Sequence, residues 1–87
     1  MKNASSGNAY EDRWLAPVWV RHGEEPPEAI TSSKQALERL SCNWPIKRGR
    51  HYLGAKASCT AVMKKRLASA LAREAFIRAS IEAQILN

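Results

Sequence analysis

The chain has 87 residues, 45% of them hydrophobic, and a formal net charge of +6, with a sequence pI of about 9.8. That size gives one domain around one core, and the apolar fraction excludes wholesale disorder. No apolar run is long enough to cross a bilayer, and the lysine in Met1–Asn8 is not followed by the apolar stretch of a secretory signal, so the expected compartment is the cytoplasm.

Residues 1–13 are small and polar without periodicity and read as a flexible tail, leaving 14–87 as a single α+β domain. The first ordered signal is Leu15–Arg21, rich in β-branched and aromatic types. There Val18 and Val20 share one face of a strand while Trp19 and Arg21 take the other. Pro17 lacks a backbone donor and suits a strand start or an edge. His22–Pro27 breaks the run and Glu28–Thr31 returns, which predicts a β-hairpin.

Ser32 and Gln35 have capping-box spacing and open a first helix, whose apolar stripe is Ala36, Leu37, Leu40 and Trp44. Pro45 disfavours helical geometry at Trp44 and ends it. A second helix is expected over about Arg50–Lys64, burying Tyr52, Ala55, Cys59, Val62 and Met63. A third, from Ser69 to about Gln84, buries Ala72, Ala75, Phe76, Ala79 and Ala83. Ile77, Ile81 and Ile85 recur on another side of it as a second stripe, which calls for a second burial partner, either the hairpin or another molecule. The expected fold is an N-terminal β-hairpin covered by three helices, the last two packing through Cys59, Val62, Phe76 and Ala79.

The charge excess lies wholly in the C-terminal half. From Lys47 onward the cations Lys47, Arg48, Arg50, Lys56, Lys64, Lys65, Arg66, Arg73 and Arg78 face only Glu74 and Glu82, whereas Met1–Ile46 is slightly acidic. Lys47, Arg48, Arg50, Lys64, Lys65 and Arg66 flank the two ends of the second helix and are the candidate contacts to nucleic-acid phosphates. No helix-turn-helix, zinc-finger or RNA-recognition signature accompanies them, and a solvated cationic surface explains them as well.

The order of features resembles a known family. Pro17-Val18-x-Val20, Ile30-Thr31-Ser32, Trp44-Pro45 with Gly49, Tyr52 and Cys59 at fixed offsets, and Ala72-Arg73-x-Ala75-Phe76-Ile77 are similar to the domain-of-unknown-function family 982, small uncharacterised alphaproteobacterial proteins. The resemblance spans about Trp14–Ile85 and implies a bacterial, cytoplasmic α+β protein, but no activity. Members often carry glycine where this chain has Lys65 and proline near Ser69, so the turn between the second and third helices departs from the pattern.

His22, Cys42, His51 and Cys59 are metal-ligand types, but no pair has zinc-finger or CxxC spacing, so no metal is expected. Cys59 reads as a small core hydrophobe. There is no phosphate-binding glycine loop and no nucleophile–base pattern, so neither a cofactor nor catalysis is expected. The leading expectation is a non-enzymatic binding or regulatory module that meets a protein partner or itself through Trp19, Ile77, Ile81 and Ile85. The alternative is non-specific nucleic-acid binding.

Overall fold

In a computed structural model, which describes residues 11–46 and 48–87, the chain forms two strands and then three helices. β1 (Val18–Val20) pairs antiparallel with β2 (Glu28–Ile30) in the register Val18 to Ile30, Trp19 to Ala29 and Val20 to Glu28. Gly23 turns the hairpin at φ 62, a conformation that costs a residue without a Cβ little. Val18, Val20 and Ile30 are buried, so the alternation read in the sequence puts this face on the core.

α1 (Ser33–Ser41), α2 (Arg50–Met63) and α3 (Ser69–Glu82) run up, down and up. The start of α1 lies beside the start of α3, where Ser33 Oγ is 3.3 Å from Ser69 Oγ. The end of α1 lies beside the start of α2, where Tyr52 donates its hydroxyl to Leu40 O at 2.9 Å. Ser32 caps α1 by accepting from Gln35 N. The expected return bond is shifted by one residue, because Gln35 Oε1 accepts from Thr31 N instead. Gln35 Nε2 also donates to Ala29 O, and Arg39 pairs with Glu28, so α1 is fastened to β2 by side chains.

The core gathers on Phe76, whose ring centroid lies 5.7 Å from that of Trp14 and 5.6 Å from that of Trp44. Ala55, Cys59 and Val62 on α2 and Ala72, Ala75, Phe76 and Ala79 on α3 are all buried. Their mostly small side chains let the two helices approach closely. Met63, expected on this buried face, is exposed, since it ends α2 beside the turn that leaves it. Trp44, expected to close the α1 stripe, is buried two residues beyond the C-cap Cys42.

α2 and α3 end in the same way. Lys65 N donates to Val62 O and Arg66 N to Ala61 O, while Gln84 N donates to Ile81 O and Ile85 N to Ser80 O. These paired bonds satisfy the last carbonyls and require a left-handed residue, here Lys65 at φ 59 and Gln84 at φ 60. The position where the family pattern often has glycine therefore keeps its left-handed geometry with a lysine.

The second stripe expected on α3 is not continuous. The helix stops at Glu82, and Ile85 follows the turn and is buried. Arg21 N donates to Ile85 O and Asn87 N to Trp19 O, so residues 85–87 lie along the free side of β1, with Val20 bridged to Leu86.

Candidate functional site

Two carboxylates organise the ends of the helical layer. Asp12, read in the sequence as part of the tail, accepts from Ser33 N at 2.7 Å, Lys34 N at 2.9 Å and Ser69 Oγ at 3.0 Å. It thus supplies the first turn of α1 with acceptors and binds the first residue of α3. Trp14 Nε1 donates to Ser33 Oγ at 3.3 Å, and because Ser69 gives its proton to Asp12, Ser33 donates to Ser69. Desolvation works to raise the Asp12 pKa, but the backbone N–H groups of Lys34 and Ser33 and the Ser69 hydroxyl outweigh it and hold the carboxyl below its ordinary range.

Glu82 does the corresponding work at the other end. Gly49, the N-cap of α2, has no side chain to offer, and Glu82 accepts from Gly49 N, His51 N and Tyr52 N at 3.0–3.1 Å. Desolvation again pushes upward, and the three N–H donors together with the His51 charge bring its pKa below normal. A Cβ on Gly49 would fall 2.5 Å from Glu82 Oε2, so the close approach depends on glycine there. Both α1 and α2 therefore present starts whose anion-binding capacity is already filled by the chain itself.

The two cysteines are separated in character. Cys42 is exposed, whereas burial and the Asp12 charge push the Cys59 thiol up to about 12. Among the described residues no three of His, Cys, Asp and Glu gather as a metal site. Nor, among them, is any helix long and apolar enough to cross a membrane.

The four proposed contact residues are not brought together as one stripe. Trp19 lies on the outer side of the hairpin, 47% exposed, and its cross-strand neighbour Ala29 is too small to cover an indole. Ile77 is partly buried against the core, Ile85 is buried, and Ile81 is exposed on α3. Leu86, which has no counterpart among the contact residues expected from the sequence, is 43% exposed on the segment hydrogen-bonded to β1, where it is bridged to Val20.

The basic residues are dispersed too. Arg48 is exposed but folds back on the chain, donating to Pro45 O and Trp44 O and lying 5.1 Å from the centre of the Tyr52 ring. Arg50 is exposed at the start of α2, and Lys64, Lys65 and Arg66 are exposed at its far end, about 20 Å away along fourteen residues of helix. Lys47 lies outside the described residues. The cations do line one concavity, an open groove of about 450 Å³ bordered by Lys56, Ala57, Thr60, Ala61, Lys64 and Arg66. A smaller apolar notch of about 200 Å³ lies between Arg13–Ala16 and the start of α3.

The family model described as "Protein of unknown function (DUF982)" matches residues 16–87. An NMR structure of a structural-genomics target protein from Agrobacterium tumefaciens is similar, at 28% identity and a TM-score of 0.74, over 87% of this chain and 76% of that one. Comparison with curated proteins finds no significant match. Neither the family description nor the similar structure points to nucleic-acid binding.

Proposed function

This chain belongs to the DUF982 family, and from that premise we propose that it is a non-enzymatic binding module of the cytoplasm, acting through protein contacts anchored on Trp19. The observation that carries this reading is a half-exposed indole on a hairpin whose other face buries Val18, Val20 and Ile30. Its cross-strand neighbour is only Ala29, and Leu86 lies on the adjoining segment. Tryptophan is the side chain that gains most from being covered by a partner, and a short sheet fixes its backbone so that little freedom is lost on contact. Charge separation along α2 and the internal bonds of Arg48 weigh against a phosphate-tracking surface.

Trp19→Ser tests it. Affinity capture from the source cells with the unaltered protein and with W19S, quantified by mass spectrometry, should give at least one partner retained only by the former. Circular dichroism and melting of the variant should be unchanged, since Trp14, Trp44 and Phe76 hold the core. Identical partner sets for the two proteins would sink the reading.

A further inference from the structure

We propose that the outer face of α2 is a second docking surface, independent of Trp19, and that its occupant is an acidic amphipathic helix of a partner protein. Between Glu38 and Glu74 the chain has no acidic residue, while its charged residues there are all basic. The ion pairs formed among the described residues are Arg13–Glu11 and Arg39–Glu28, so Lys56, Lys64 and Arg66 have no carboxylate of their own. Glu82, the acid nearest α2 in the fold, is occupied at the opposite end by three backbone donors. The helix dipole favours cations at the C-terminal end of α2, which accounts for Lys64 and Arg66. It accounts neither for Lys56 in mid-helix, steadied 5.7 Å from the Tyr52 ring centre, nor for the small side chains between them.

Those small side chains choose the occupant. Ala57, Thr60 and Ala61 form the floor of the groove at helical spacing, and Gly54 precedes them one turn earlier, exposed with nothing above its Cα. A lane without bulky side chains admits another helix at the close end of the usual axial spacing, about 8 Å. Glutamates along the edge of such a helix would meet Lys56, Lys64 and Arg66, while its apolar residues cover the alanines and the exposed Leu53. A nucleic-acid duplex would use the cations but gain nothing from an apolar floor.

The test uses the full chain and three labelled probes: a synthetic helix with glutamates on one face and alanine and leucine on the other, a scrambled isomer of identical composition, and a DNA duplex of similar charge. Anisotropy should show the ordered helix binding at least ~10-fold more tightly than the scramble. Amide shifts should centre on Ala57, Thr60 and Ala61. Lys56→Glu combined with Lys64→Glu, and separately Ala57→Leu, should each weaken binding by ~10-fold or more. Ala57 is exposed, so the leucine fills the groove without entering the core, and W19S should leave this affinity unchanged. Equal affinity for helix and scramble, no binding of the helix, or indifference to A57L would each overturn the proposal. So would tighter binding of the duplex, which would assign the groove to nucleic acid instead.

Discussion

The two ends of the three-helix layer solve one problem with different materials. At one end Asp12 reaches the starts of α1 and α3 and closes a buried chain through Ser33, Ser69 and Trp14. At the other, Glu82 caps α2 through backbone donors alone, nearer the surface. Each end also contains one left-handed residue that closes a helix, Lys65 at the Asp12 end and Gln84 at the Glu82 end. The contrast separates two costs of losing a cap. An exposed helix start can turn to water, but a buried hydroxyl left without its partner cannot.

Asp12→Ala should therefore be the most damaging change, costing about 2 kcal/mol in urea unfolding, with faster hydrogen exchange at Ser33 and Lys34. Ser33→Ala, which strands the Trp14 N–H and leaves Ser69 without its donor, should cost about 1 kcal/mol and couple strongly to D12A in a double-mutant cycle. Lys65→Gly should act in the opposite direction, gaining up to ~1 kcal/mol by removing left-handed strain while the bonds to Val62 and Ala61 stay in place. Smallest is the change expected for Glu82→Gln, a lowered melting temperature. Gly49→Ala should reproduce it by displacing the carboxylate, with little added by combining the two.

Acid should distinguish the ends as well. Both carboxyls titrate below their ordinary values when folded, so their stabilisation is complete above the unfolded values near pH ~4 and is lost as pH falls through the lower folded ones. Asp12→Asn should flatten that acid limb of the stability curve more than E82Q does. Equal flattening would mean that burial of the serine chain is not what sets the two ends apart.

Much of the architecture was legible because it is periodic. Val18 and Val20 alternate with Trp19, and the 3.6-residue recurrence of Ala72, Ala75, Phe76, Ala79 and Ala83 marks the buried face of α3. Ser32, Pro45 and Ser69 punctuate the chain locally. What periodicity could not supply are groups that act across sequence distance. Asp12 lies near the end of a stretch without periodicity and differs in no local way from Glu11, and Glu82 reads as the partner of Arg78 on a helix surface. Their roles are decided by which helix start arrives beside them. Ile85 misled for a related reason, since spacing of four continues past the end of a helix when the turn that stops it uses glutamine instead of glycine. Of the contact candidates, Trp19 could be placed because strand alternation fixes its face. The α2 groove was hidden because small residues leave no hydrophobic signal, only an absence of bulk.

The bridge between Val20 and Leu86 bears on how the protein is made. β1 leaves the ribosome with β2 able to cover only one of its sides, and the residues that take up the other, 85–87, follow more than sixty positions later. Until residues 85–87 emerge the nascent hairpin thus displays an unpaired strand carrying Trp19, an invitation to neighbouring nascent chains. The exposed Glu24, Glu25, Pro26 and Pro27 at the hairpin tip are the kind of charged, donor-poor sequence that discourages such pairing until residues 85–87 arrive.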